Sequence, residues 1–175
     1  HFKSGRTKLE SRIEYARIWA GTKHKGQYRK YTGEPYIEHP LIVSEMVREH
    51  GLSETAIVAA ILHDTVEDTD ASFEEVLEYF GAEVAEYVWY LTKPPEFVGT
   101  RSIRKEHDRW RLSAAPEEVK IVKFYDVMHN AGSIKEHDPE LWSSWRHEMQ
   151  LLFLAMDIHS IIPIMEKHKE FVDSL

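Results

Sequence analysis

The sequence predicts an all-α, single-domain bundle, and three observations carry that expectation. Apolar residues recur at three- and four-residue intervals through most of the 175 positions, which sets them on one face of successive helices. Gly and Pro fall between these stretches and not inside alternating, strand-length runs. The β-branched run Val119 to Val122 has neighbours at helical spacing and no partner strand in sight, so it reads as helix too.

Taken in order, Arg12 to Lys23 sets Ile13, Ala16, Ile18, Trp19 and Ala20 on one face of a first helix. Gly26 and the turn-forming Tyr31-Thr32-Gly33-Glu34-Pro35 break it. After Pro40, Leu41, Ile42, Val43, Met46 and Val47 define a second helix, with proline in the first turn, where a missing N–H costs nothing, and Gly51 as its stop. Ser53-Glu54 opens a third helix that runs through Ala56–Leu62, apolar on most sides, into His63-Asp64 and Glu67-Asp68. Ser72 is expected to cap a fourth, and Gly81 separates it from Glu83 to Leu91. Pro94 to Gly99 is the clearest loop, followed by a basic helix from Ser102 to about Leu112. Pro116 begins a helix holding Val119, Ile121, Val122, Phe124, Val127 and Met128. A longer one is expected from about Pro139 to His159, with Pro163 starting the last.

Neither half of the chain about Lys93–Thr100 buries its apolar faces alone, so that loop reads as a site flank and not as a linker. One domain is expected over residues 1–175, with the chemistry-bearing motifs at about 24–130 and the helices at 139–172 completing it. Hydrophobic content of 42% with 30% charged residues is that of a water-soluble globular chain, and no apolar stretch approaches the roughly 18 residues of a membrane span. No membrane partner is expected. The formal charge of -8 argues against nucleic acid, which is bound by clustered Lys and Arg. Local positive charge at Lys23-His24-Lys25, Arg29-Lys30 and Arg101 to Arg111 still leaves room for a small anionic ligand. The absence of cysteine removes disulfides and thiolate ligands, and fits a cytoplasmic setting.

Four ionisable groups within six residues, His63, Asp64, Glu67 and Asp68, follow the apolar run of the third helix. Charges carried that near a core need partners or a metal. On a continuing helix, i+4 spacing brings Glu67 under His63 and Asp68 under Asp64. Asp126 is a second such group, set among Val119, Ile121, Val122, Phe124 and Met128, and it calls for a cation or for an ion pair with Lys120 or Lys123. His39 is either a third metal candidate or a capping or core histidine. Imidazole and carboxylate together suit Mn²⁺, Fe²⁺ or Zn²⁺.

The order His39, His63-Asp64, Asp126 resembles the metal set of HD-domain phosphohydrolases. The segments His24–Lys30, Gly33–Pro40, Leu62–Thr69 and Val122–Asn130 are together similar to the hydrolase domain of Rel/SpoT alarmone enzymes, over about 110 residues. The resemblance implies an HD-type helical bundle acting as a stand-alone small alarmone hydrolase. Its activity would be removal of the 3′-pyrophosphate of the guanine nucleotides ppGpp and pppGpp. One Mn²⁺ per chain would be held by His39, His63, Asp64 and Asp126. Glu67 and Asp68 would form the catalytic pair, and Arg29, Lys30, Arg101, Arg104, Asn130 and Arg146 would bind substrate. Two other readings share the resemblance: a metal-dependent NADPH 2′-phosphatase, and a non-catalytic alarmone-binding or toxin-neutralising protein.

The sequence departs from the family pattern at three places. Phe124-Tyr125 precede Asp126 where Leu-Ala is common. Ala131-Gly132 follow Asn130 where Leu or Met and Arg are usual, so one charge is missing and the helix is expected to end early, at Gly132. Gln150 stands where some stand-alone hydrolases place a tyrosine. These changes touch the pocket wall and leave the metal and catalytic set complete.

Overall fold

The computed structural model describes residues 8–94, 99–162 and 166–175. Their regular structure is helical: α1 (Lys8–Lys23), α2 (Glu38–His50), α3 (Glu54–Leu62), α4 (Thr65–Asp68), α5 (Phe73–Phe80), α6 (Ala82–Leu91), α7 (Arg101–Ser113), α8 (Glu117–His137), α9 (Pro139–Met156), α10 (Ile158–Ile161) and α11 (Glu166–Ser174). The rest of the predicted loop, residues 95–98, and the start at Pro163 lie outside the described residues.

Helix α3 is the axis of the bundle because its sequence has no polar face to give to water. Every residue from Thr55 to Leu62 is buried. Helices α1, α2, α6 and α8 pack around it, and Ala56, Ala59 and Ala60, all fully buried, let those neighbours come close. Ser53 starts the helix by accepting the Ala56 N–H. Helix α8 is the second buried element, buried at Val119 and from Ile121 to Val127, and it packs on α2, α3, α6, α7, α9 and α10. The ends of α2 and α3 and the middle of α8 are thereby held against one another, and these segments carry His39, His63 and Asp126.

The C-terminal helices close the far side of α8. Phe124 meets Phe153 at 5.4 Å and Phe171 at 5.8 Å between ring centroids. The Tyr125 hydroxyl lies 2.8 Å from His50 Nδ1 and 3.2 Å from His168 Nε2. The two aromatic departures therefore pack α8 against α2, α9 and α11.

Three expected boundaries are corrected. The third helix does not run through the acidic pair: α3 ends at Leu62, and α4 restarts at Thr65 after Asp64 has turned to φ -99° and ψ -4°. Thr65, fully buried, donates its hydroxyl to the Leu62 carbonyl at the break. Helix α8 passes through Gly132 and ends at His137, because Gly132 keeps ordinary helical backbone with a negative φ. The long C-terminal helix stops at Met156 instead of His159, where Asp157 adopts the left-handed conformation (φ 53°). The capping signals hold more closely. Ser72 and Glu75 form a reciprocal capping box on α5, and Gly51 ends α2 at φ 90°.

Ser72→Ala removes one half of that box. It is expected to lower stability by about 1 kcal/mol in urea denaturation, with an unchanged midpoint contradicting the cap's contribution.

Candidate metal centre

Four side chains from three elements converge at the α2–α3–α8 junction. His39 comes from the first turn of α2, His63 caps the C-terminus of α3, Asp64 occupies the break before α4, and Asp126 lies midway along α8. His39 Nε2 is 3.0 Å from Asp126 Oδ1 and 3.7 Å from Asp64 Oδ2. His63 Nε2 is 3.1 Å from Asp64 Oδ2 and 3.6 Å from Asp126 Oδ1. Two ligands held at about 2.1 Å by one ion stand roughly 3.0 to 3.4 Å apart, at octahedral or tetrahedral angles. The 3.0 and 3.1 Å pairs fall in that range, and the 3.6 and 3.7 Å pairs lie just beyond it. His39, His63 and Asp126 each offer a ligand atom within 4.8 Å of the others. Asp64 borders that group and also accepts the Tyr36 hydroxyl at 2.6 Å.

The tautomers point the same way. His63 Nδ1 donates to the Ala60 carbonyl at 2.7 Å, which leaves the lone pair of Nε2 facing the carboxylates. That Nε2 is buried and has no hydrogen-bond partner among the described residues. His39 Nδ1 is 2.7 Å from His129 Nδ1, and the rings stack at 4.9 Å. Donation from His39 to His129 frees His39 Nε2 in turn. An outer partner that fixes ring and tautomer is what metal-binding histidines commonly have.

Burial shapes the charges. It would raise the Asp126 carboxyl, but the Lys123 ammonium and the two histidines outweigh it and hold Asp126 well below the usual carboxylate range. Lys123 Nζ takes Oδ2 at 2.7 Å, and Asn130 donates to Oδ1 at 2.8 Å. The ion-pair alternative for Asp126 is met by Lys123 at one oxygen, and the other oxygen turns to the histidines. Asp64 is likewise pushed down by His63 against its burial. Burial lowers His63, and Asp64 and Asp126 more than reverse it, raising His63 well above the ordinary imidazole value. A proton on His63 and a divalent ion answer the same electrostatic demand. Burial, then His39 and Arg29, push His129 down to about 4, so it stays neutral and able to accept from His39.

Glu67 and Asp68 stand on α4 beside this centre. The break in α3 removes the continuous i+4 relation of Glu67 to His63, whereas Asp68 keeps it to Asp64 through a 2.9 Å backbone bond. Glu67 pairs with Lys93 at 3.0 Å. Burial, Asp64 and Glu67 raise the Asp68 carboxyl. Both acids line a cavity of about 220 Å³ together with Tyr36, Asp64, Lys123, Asp126 and Asn130. They also border a second cavity of about 940 Å³, which Arg101, Arg104, Lys105 and Arg111 line.

The remaining sequence candidates divide. Arg29 donates to Asn130 Oδ1 at 2.9 Å and lies over the Tyr36 ring at 5.8 Å. Arg29, Lys30 and Asn130 line a third cavity of about 330 Å³ with Tyr28 and Tyr31. Arg101 is held by Glu148 at 3.0 Å at the edge of the large cavity, and Arg104 donates to the Gly99 carbonyl at 2.6 Å. Arg146 is exposed on α9 and lines none of these three cavities, whereas its neighbour Trp145 reaches the inner one. Sequence reasoning passed over Tyr36, His129 and Lys93. The first two stand three residues from His39 and Asp126, Tyr36 in the turn before α2 and His129 on α8, a usable signal. Lys93 lies beyond α6 and carries none.

A buried two-histidine, two-aspartate centre at the junction of three helices is the mark of the HD domain, and the chain belongs to that family: the HD-domain model matches residues 16–156. Within it, the chain is 38% identical to the guanosine-3′,5′-bis(diphosphate) 3′-pyrophosphohydrolase MESH1 of Xenopus tropicalis, across 73% of this chain and 72% of that protein. It is 40% identical to the enzyme of the same name from Aquifex aeolicus and 37% identical to a GTP pyrophosphokinase of Myxococcus xanthus, spanning 18% of each of those longer proteins. A solved structure described as a metazoan orthologue of SpoT that hydrolyses ppGpp superposes with a TM-score of 0.76 at 26% identity, over 86% of this chain and 88% of that one. Among the described residues no helix is long and apolar enough to cross a membrane.

His129→Ala strips the outer partner from His39. A loss of about 10- to 100-fold in divalent-cation affinity is expected by calorimetric titration; affinity equal to wild type contradicts the assigned tautomer.

Proposed function

We propose that the protein hydrolyses the 3′-diphosphate of ppGpp and pppGpp, using one Mn²⁺ held by His39, His63, Asp64 and Asp126. The observation that carries this reading is the unpartnered, buried His63 Nε2, set 3.1 Å from Asp64 and 3.6 Å from Asp126 beside an acidic pair. Similarity to named ppGpp pyrophosphohydrolases supports the substrate class. Imidazole and carboxylate donors without thiolate suit a borderline or hard divalent ion, Mn²⁺ included.

Bound there, the ion would supply an acidified water and offset charge on the phosphoryl oxygens. The chain's own groups do the rest. Glu67 and Asp68 orient the water and take its proton; the raised Asp68 carboxyl suits it to proton traffic nearer neutrality than an ordinary aspartate. Lys123 keeps Asp126 ionised. Arg29, Lys30 and Asn130 receive the nucleoside in the 330 Å³ cavity, with Arg29 and Tyr36 presenting flat faces for stacking. Arg101 and Arg104, in the large cavity beyond the acidic pair, bind the remaining phosphates. For Arg146 the exposed position gives no supporting contact, and its role rests on the resemblance alone. The domain is read as extending through residue 175, since Ile158, Ile162 and Leu175 join the core.

The test is turnover of ppGpp and of NADPH by the Mn²⁺-loaded protein, with Glu67→Gln and His63→Ala alongside. The expected result is release of pyrophosphate from ppGpp. Glu67→Gln should keep the ion and lose about 100-fold or more in kcat, and His63→Ala should lose the ion. Preference for NADPH reassigns the substrate. Nucleotide binding without turnover of either compound supports a non-catalytic binder.

A further inference from the structure

Glu67 is gripped at both carboxylate oxygens by a single residue. Lys93 Nζ donates to Oε1 at 3.0 Å, and the Lys93 backbone N–H donates to Oε2 at 3.1 Å. The backbone that makes the second bond is itself fixed. Thr92 caps α6, returning its N–H to Val88 and Trp89 and its hydroxyl to the Val88 carbonyl at 2.8 Å. The Thr92 carbonyl in turn accepts from Arg111 Nη1 on α7. Arg111 is 4% exposed, bonds Asp108 through Nη2, and lies over the Trp89 ring at 5.8 Å. On the other side of Lys93, Pro94 confines the lysine backbone to extended conformations. The Lys93 N–H therefore has a direction set by two helices, and it delivers that direction to Glu67.

We propose that Lys93 and Arg111 are positioning residues for Glu67. Arg111 locks the end of α6, and Lys93 holds the carboxylate at two points, so that it faces the inner cavity that Asp64 and Asp126 also line. A carboxylate on a four-residue helix has several rotamers open to it. A two-point grip removes them before substrate arrives, and misplacement by about 1 Å costs catalysis on the order of 100-fold. The inference rests on Glu67 as the group that handles the water, as proposed above. Lys93 also lines the 940 Å³ cavity, so the contrasting role is a phosphate ligand that meets Glu67 only incidentally.

A double-mutant cycle separates the two. Lys93→Met, in the Mn²⁺-loaded protein with ppGpp, is expected to lower kcat by about 10- to 100-fold with KM within about twofold of wild type. Lys93→Arg recovers part of the loss, and in a Glu67→Gln background Lys93→Met costs nothing more. A raised KM with kcat retained, or an equal loss in the Glu67→Gln background, overturns the proposal. A second readout needs no turnover. By hydrogen exchange the Lys93 amide is expected to lose about tenfold in protection in Glu67→Ala and in Arg111→Lys, and unchanged protection overturns the proposal. Should the wild type leave ppGpp intact, the substrate reading fails while the exchange measurement still decides the role of Lys93.

Discussion

Two carboxylates inside a helical core cannot both stay ionised without compensation, and the fold is organised around supplying it. Asp126 is 5% exposed, and His39 and His63 are 1% and 2% exposed. Desolvation of such groups is costly unless a cation is near. Lys123 answers half of the demand at one oxygen of Asp126. The other half falls on the histidine pair, whose outer nitrogens are committed to Ala60 and His129 and whose inner nitrogens turn toward Asp64 and Asp126. The buried course of α3, the break at Asp64 and the deep seat of α8 hold each histidine within 3.7 Å of both carboxylates.

The centre is coupled to the recognition surfaces through short polar chains. Asn130 bonds Asp126 on one side and Arg29 on the other, tying the carboxylate to the cavity assigned to the nucleoside. Tyr36 bonds Asp64 and presents its ring to Arg29 at 5.8 Å. Glu67 is joined through Lys93 and Thr92 to Arg111, in the wall of the large cationic cavity. Asp126, Asp64 and Glu67 are thus each bonded by a residue that also lines a cavity. A substrate seated across these cavities meets groups already aimed, and little reorganisation remains to oppose reaction.

Much of this was legible in the residues. The apolar run of α3, the glycine at 51 and the serine caps at 53 and 72 set helix limits by local physics, and those limits agree with the structure. The errors have a common origin in tertiary packing. The turn at His63-Asp64 carries no glycine or proline, and what ends the helix is the inward commitment of two ionisable side chains. Gly132 reads as a stop but sits within a helix that packs on six others, and tertiary support outweighs its poor propensity. Asp157 takes a left-handed conformation that aspartate adopts only sometimes, so His159 seemed an equally good end. At the site, motif order marked His39, His63, Asp64 and Asp126 together, and the fold brings them to one junction. Arg111 bonds a backbone carbonyl, and Lys93 presents a loop N–H beside its ammonium; backbone partners leave no mark in a side-chain pattern.

The central claim is that four separated side chains share one divalent ion. Anomalous diffraction at the manganese edge, from crystals of the protein grown with Mn²⁺, addresses it directly. One strong peak is expected, bounded by the Nε2 atoms of His39 and His63 and the carboxylates of Asp64 and Asp126. A peak on the surface alone, with Asp126 turned from the histidines, would contradict it.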